Sequence, residues 1–386
     1  MKGMIAKSSY VFETRFQVSC EVAHTQQTNW GNVSIDTINT SQKYDDNCVL
    51  YLPSQYSETG TPTKLIIFCK QGSSKIGVNS SNDWAESIKG RSPILSLPFM
   101  AYLISIGYAI VAADGEPDGW LEALGLGTSS GSTSTPADLR SYGNYITAES
   151  TRLAYNYVIK NYNIDPNGCY IFGYSQGGVF AQNVIDTTNV PILAAAEISP
   201  SCSIHYHQWD AKSSTGITIG NYTDVTRKGR LIISRMFGIS PANVTNEDLD
   251  EMTYDSVRDK LAGYDPWTRN VEKEFQHFTQ VSSGGIYTFE SGYTVDDVDM
   301  VKYSKCPLKV WCAVGDSTLG IDVMKAYVKA IKNGGNVADI VIYSSGGHSW
   351  FSSQTTAGSV TVNGNSYSYK PVALDIATWF RSFGGY

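Results

Sequence analysis

Eight candidate strand segments, separated by stretches with helical periodicity, constrain the fold of this 386-residue chain more than any other feature. From the third segment onward most are continuous apolar runs, which is typical of strands buried on both faces of a sheet. This alternation predicts an α/β fold, a mostly parallel sheet of about eight strands with helices on both faces. The predicted strands span residues 10–22, 48–52, 64–69, 109–113, 169–172, 192–198, 308–314 and 339–343; the predicted helices span 95–106, 137–162, 178–186, 321–333 and 371–383.

One interval interrupts the alternation. Residues 203–305 separate two predicted core strands by far more chain than an ordinary connection between a strand and a helix needs. We therefore predict a core formed by residues 1–202 and 306–386, with residues 203–305 inserted as a lid or cap. The insertion contains one predicted helix, at residues 245–262.

Charge and hydropathy exclude two classes of partner. The formal net charge is -7 and the basic residues are scattered, so no positive surface is expected for a nucleic acid backbone. The sequence has no apolar run long enough to span a bilayer, and we expect no stable membrane insertion. The oligomeric state is left open.

The cysteines and the N-terminal residues are informative about the cellular compartment of the protein. The seven cysteines form no CxxC pair, and Cys202 and Cys306 flank the insertion as a candidate disulfide for an oxidising compartment. The N-terminus lacks the apolar segment of a signal peptide, which predicts either a cytoplasmic protein or an exported one whose signal is not part of this sequence. Abundant Tyr, Asn, Ser, Thr and Gly with few lysines favours a secreted or periplasmic protein whose signal peptide is absent from this chain.

A serine between two glycines follows the fifth predicted strand. Residues Gly173, Ser175 and Gly177 form a G-x-S-x-G motif at the junction of that strand and the next helix. In a nucleophile elbow this junction turns so sharply that the serine hydroxyl is exposed above the sheet. The alternative is a tight connection whose serine is only a turn residue. The motif is short enough to arise by chance, so its partners decide between the two.

A serine nucleophile needs a base that takes its proton and an acid that orients the base. His348 follows the last predicted strand in a loop with two glycines, and Asp316 follows the strand at 308–314. Asp114 and Glu197 also lie near strand ends and are rival candidates for the acid, while Asp316 has an alternative role as a helix N-cap. The chain order serine, aspartate, histidine favours Ser175, Asp316 and His348.

The negative oxygen of a tetrahedral intermediate needs two backbone N–H donors. The residue after the nucleophile, Gln176, is the first candidate. The second candidate is Gln71, in the turn that follows the strand at 64–69, with Lys70 and Gly72 as its neighbours.

These residues resemble the α/β-hydrolase superfamily over nearly the whole chain from about Cys48 onward, through the Leu52-Pro53 segment, the GYSQG elbow and the late His348. Within it, the chain is similar to secreted esterases and lipases and to prolyl-oligopeptidase-like hydrolases. Many relatives carry His-Gly at the oxyanion turn, where this chain has Lys70-Gln71-Gly72. The resemblance implies hydrolysis of a small-molecule or polymer-linked carboxylic ester, without metal or cofactor.

Two alternatives remain open from the sequence. The same residues cleave amides in peptidases, and a non-catalytic carbohydrate-binding protein could retain the fold and use its many tyrosines. His205 and His207 could face the same side as metal ligands, but no third ligand is near in sequence. A structural or substrate-contacting role is favoured for both histidines.

Overall fold

The computed structural model describes residues 12–21, 29–30, 33–34, 43–69, 97–115, 145–202, 278–280, 287–316, 320–344, 346–348, 358–362, 365–369 and 371–386. Eight of the described strands form the central sheet: β1 (Phe12–Glu21), β2 (Lys43–Leu52), β3 (Leu65–Cys69), β4 (Ala109–Ala113), β5 (Cys169–Tyr174), β6 (Ile192–Ile198), β7 (Leu308–Ala313) and β8 (Ala338–Tyr343). Short antiparallel pairs join Asn29–Trp30 to Val33–Ser34 and Gly358–Val362 to Asn365–Tyr369.

The strands lie in the spatial order β1-β2-β4-β3-β5-β6-β7-β8. β2 is antiparallel to both of its neighbours, β1 and β4, and every other neighbouring pair in the sheet is parallel. The carboxyl ends of β3 to β8 therefore meet at one edge, which is where open α/β sheets bind ligands.

Five helices of the described residues cover the two faces of the sheet: α1 (Pro98–Ser105), α2 (Tyr145–Asn161), α3 (Gly177–Thr187), α4 (Ile321–Asn333) and α5 (Pro371–Arg381). α2, α3 and α4 pack on one face, and α1 and α5 pack on the other, each set around its own cluster of buried apolar side chains. This arrangement confirms the predicted α/β-hydrolase fold.

The sequence patterns have direct counterparts in the structure. Every residue of β3 and of β4 is buried, because each strand lies between neighbouring strands and between two helical layers. In α4 the buried residues Val323, Tyr327 and Ile331 recur every four positions, so one face of the helix packs on the sheet. Apolar runs and helical periodicity therefore report real burial here.

The eight predicted strands are the eight strands of the sheet, with one boundary that differs by several residues. β2 begins at Lys43 rather than at residue 48, and its first half pairs with β1 through contacts such as Lys43 with Glu21. In that half exposed and buried residues alternate, and the buried Asp46 is polar, so no apolar run marks it. The predicted helix at 137–162 is described from Tyr145, and its earlier residues lie outside the described chain.

The described end of the interval at 203–305 is attached to the core. Phe278–Gln280 pairs antiparallel with Tyr287–Phe289. Asp322 of α4 accepts hydrogen bonds from the Phe289 N–H, at 3.2 Å, and from the Thr288 hydroxyl. The predicted helix at 245–262 lies outside the described residues, and the cap remains a prediction.

All seven cysteines are buried, and Cys202 and Cys306 do not form the disulfide considered from the sequence. Cys69 and Cys312 lie in the strands of the core, where burial raises the pKa of each thiol, to about 12 for Cys312. These thiols act as small apolar side chains. Among the described helices, none is both long and apolar enough to cross a bilayer.

Candidate active site

Ser175 occupies the sharp turn between β5 and α3. Its φ of 55° lies in the left-handed region, which is uncommon for residues other than glycine and is typical of strained functional positions. Three backbone hydrogen bonds hold the turn: the Ser175 N–H donates to the Ile198 carbonyl at 3.0 Å, and the Ser175 carbonyl accepts from Gly178 at 2.9 Å and from Ser201 at 2.8 Å. The end of β6 therefore fixes the backbone of the predicted nucleophile.

Gly173 makes this turn possible. A Cβ at this position would lie 2.7 Å from the Gly177 carbonyl oxygen and 3.0 Å from the Gly178 Cα, and both are backbone atoms that cannot rotate away. The first turn of α3 thus lies directly against the end of β5. This close approach is the physical reason for the first glycine of the motif.

Two loops bring the other predicted residues to the same edge of the sheet. Asp316 follows the end of β7, and His348 follows the end of β8. The loops touch through backbone, because a Cβ on Gly315 would lie only 2.5 Å from the Gly346 carbonyl oxygen. A side chain at residue 315 would push the two loops apart.

A continuous chain of hydrogen bonds joins the three side chains. His348 Nε2 lies 2.8 Å from Ser175 Oγ, and His348 Nδ1 lies 3.0 Å and 3.2 Å from the two carboxylate oxygens of Asp316. The Asp316 side chain is fully buried, whereas 20% of the His348 side chain is exposed. With its hydrogen on Nδ1, His348 donates to Asp316 and presents a free lone pair on Nε2 to the Ser175 hydroxyl.

The structure places the rival acids elsewhere. Asp114 lies at the end of β4, and its N–H donates to Asn47. Glu197 lies within β6, and neither of its oxygens has a hydrogen-bond partner in the part of the chain that the structure describes. Nor does Asp316 cap the next helix: the N-cap of α4 is Gly320, without a side-chain hydrogen bond. Only Asp316 of the three candidate acids contacts His348.

Gln176 is the N-cap of α3. Its N–H belongs to the first-turn amides that have no acceptor within a helix, at the positive end of the helix dipole. That position suits an oxyanion donor next to Ser175. The second predicted donor, Gln71, lies outside the described residues together with Lys70 and Gly72.

One contact of His348 could not be predicted from the sequence. The ring of Tyr174 stacks on the imidazole of His348, with 5.9 Å between centroids and 19° between planes. Tyr174 is buried, so its ring forms a fixed surface behind the histidine. Its place directly before the serine was the only available signal, because the partner lies on a distant loop.

The described residues contain no group of three or more His, Cys, Asp or Glu side chains that could hold a metal ion. His205 and His207, the histidines considered as metal ligands, lie outside the described residues. What the described side chains offer is acid–base and nucleophilic chemistry.

No family model matches the sequence, and no curated protein is similar to it in sequence. Solved structures with a similar fold include the acylaminoacyl peptidase of Pyrococcus horikoshii, with 12% identity and a TM-score of 0.45 over 88% of this chain and 38% of that one. Dipeptidyl peptidase 4 of Porphyromonas gingivalis has 13% identity and a TM-score of 0.42 over 84% of this chain and 33% of that one. This chain therefore spans less than half of either peptidase.

An S-formylglutathione hydrolase of Agrobacterium tumefaciens is similar in size as well as in fold. It has 12% identity and a TM-score of 0.44 over 93% of this chain and 98% of that one. At this level of identity and superposition, none of these likenesses transfers an activity. The function has to be argued from the residues of the site.

Proposed function

We propose that the protein is a serine hydrolase that cleaves carboxylic esters through an acyl-enzyme intermediate. Ser175 Oγ attacks the ester carbonyl carbon while His348 Nε2 takes its proton, and Asp316 stabilises the resulting imidazolium. The imidazolium then gives the proton to the departing alcohol. Water attacks the acyl-enzyme by the same proton transfers and releases the acid and free Ser175.

The observation that carries this proposal is the hydrogen bond of 2.8 Å between His348 Nε2 and Ser175 Oγ. At this distance the base is within reach of the proton it must take, without any movement of the loop. The strained φ of Ser175 and the buried carboxylate behind His348 support the same assignment. The amide of Gln176, and that of Gln71, are the proposed oxyanion donors.

Covalent labelling tests the nucleophile directly. A fluorophosphonate probe should modify the wild-type protein at Ser175, and Ser175→Ala should remain unmodified. Thr151→Ala, which removes a buried hydroxyl bonded within α2, is the matched control and should label like wild type. Labelling that persists in Ser175→Ala would assign the nucleophile to another residue.

A substrate panel tests the preference for esters. p-Nitrophenyl acetate, butyrate and longer acyl esters, together with feruloyl esters, should be hydrolysed faster than aminoacyl anilides. Faster cleavage of the anilides would favour a peptidase or amidase that uses the same residues. A protein that neither labels nor turns over any of these compounds would fit the non-catalytic carbohydrate-binding alternative, against which the short distance between Ser175 and His348 argues.

A further inference from the structure

Glu197 is a fully buried carboxyl group on the strand that holds the nucleophile. Its neighbours across the sheet are Gly173 on β5 and Val310 on β7, so its side chain faces the layer formed by α3 and α4. The next residue, Ile198, accepts the hydrogen bond from the Ser175 amide. A carboxyl group is therefore buried between the sheet and the layer of α3 and α4, beneath the turn that carries Ser175.

No hydrogen bond from the described residues would stabilise a negative charge on the Glu197 carboxyl group. Among the described residues neither of its oxygens has a hydrogen-bond partner, and the residue is 0% exposed. Lys302, whose charge acts on Glu197, is buried too, but its ammonium donates to Gln182 of α3 at 3.0 Å and lies 4.7 Å from the centre of the Tyr327 ring. The hydrogen bond between Lys302 and Gln182 thus links α3 to the segment that precedes β7.

An ionised carboxyl group is unfavourable in free energy when it is buried without a hydrogen-bond or ion-pair partner. Burial of an unpaired charge costs several kcal/mol, so the group takes up a proton instead. Burial raises the pKa of Glu197 from 4.5 to about 8, while the charge of Lys302 lowers it in part and that of Asp186 raises it further. The other titratable groups of the described residues that interact with it are the thiols of Cys69 and Cys306, which burial keeps neutral.

We propose that Glu197 is a positioning residue for Ser175, which works in its neutral form and whose ionisation disables the site. On ionisation the proton passes to solvent, and the new carboxylate attracts Lys302 away from Gln182. Because Gln182 belongs to α3, whose first turn follows Ser175, loss of that hydrogen bond displaces the nucleophile and the Gln176 amide. This inference rests on the proposed function only in so far as it concerns the reactivity of Ser175.

The matched variant Glu197→Gln keeps the shape of the side chain and cannot ionise. The rate of fluorophosphonate labelling at Ser175 should be similar in wild type and Glu197→Gln near neutral pH. Above about pH 8 the wild-type rate should fall about tenfold per pH unit, while that of Glu197→Gln stays level. Glu149→Gln, which changes a half-exposed carboxylate paired with Arg152, should keep the wild-type profile. The same alkaline fall in Glu197→Gln would overturn the positioning role.

The pH dependence of unfolding gives a second measurement. Since the pKa of Glu197 is raised on folding, the folded state holds a proton that the unfolded state has released between about pH 4.5 and about pH 8. As the pH rises through this interval, the melting temperature of wild type should therefore fall relative to that of Glu197→Gln. Above the interval the difference between the two proteins should not change further. A constant difference between the two proteins would show that Glu197 is not protonated in the fold.

Infrared spectroscopy of wild type needs no variant and no activity. The C=O stretching band of a protonated carboxyl should be present at about pH 6 and vanish as the pH rises past about 8. Its absence at the lower pH would overturn the proposal. If wild type labels at no pH, the proposed function and the positioning role both fail, while the infrared band and the melting curves still decide the protonation of Glu197.

Discussion

Replacing Asp316 by Asn removes a charge from the site while the side chain keeps its size. When His348 holds the Ser175 proton, its Nδ1 lies 3.0 Å from a carboxylate oxygen of Asp316. Two unit charges at this distance attract by about 5.5 kcal/mol at an effective dielectric constant of about 20. Because about 1.4 kcal/mol corresponds to a tenfold change in rate, full loss of this attraction would slow the reaction by almost 10,000-fold.

Water reduces this figure, since 20% of the His348 side chain is exposed. We therefore expect kcat of Asp316→Asn to be about 1,000- to 10,000-fold below wild type, with KM nearly unchanged because the charge develops only after binding. Stopped-flow hydrolysis of p-nitrophenyl acetate measures both constants, and circular dichroism checks the fold. Asp339→Asn is the control, because that carboxylate is 52% exposed and lies 3.7 Å from Lys309. Turnover of a folded Asp316→Asn within tenfold of wild type would refute the reasoning, because it would show that the charge of Asp316 does not stabilise the imidazolium of His348.

Three further substitutions separate positioning from stability. Tyr174→Leu removes the ring stacked on His348 and should lower kcat about three- to tenfold with little change in KM, as measured by ester hydrolysis. Gly315→Ala forces apart the backbones of the two loops that carry Asp316 and His348, and should lower kcat about 100-fold in the same assay. Asp375→Ala leaves the indole N–H of Trp311, which donates to Asp375 at 2.7 Å, without its acceptor. It should cost about 1–3 kcal/mol in the free energy of urea unfolding while kcat stays at the wild-type value.

Each of these substitutions has a conservative partner. Tyr174→Phe keeps the ring and should retain wild-type kcat, and equal losses in Tyr174→Phe and Tyr174→Leu would show that stacking is not the cause. Gly347→Ala adds a Cβ whose nearest contact among the described residues is 3.7 Å away, so activity should persist; a loss as large as that of Gly315→Ala would contradict the close approach. Asp375→Asn keeps an acceptor for Trp311 and should destabilise less than Asp375→Ala.

The sequence by itself determined the strands of the sheet, and it favoured Ser175, Asp316 and His348 while leaving two other candidate acids open. The strands can be recognised from short stretches of sequence, because a buried strand such as Leu65–Cys69 is a continuous apolar run. The strained turn at Ser175 could also be predicted, because its glycines are adjacent in sequence. Gln71 and the insertion at 203–305 stay predictions, since the described residues do not include that turn or most of that interval.

Only the tertiary structure decided which acid faces His348. Asp316 and Glu197 both lie near the carboxyl ends of strands, yet one reaches the histidine from a loop and the other points into the layer beneath α3. Ser175 and His348 are 173 residues apart, so their contact depends on the spatial order of the strands, which local patterns do not encode. The contact of Tyr174 with His348 and the burial of Glu197 follow from that order as well, because stacking and loss of solvent arise only when distant segments pack together.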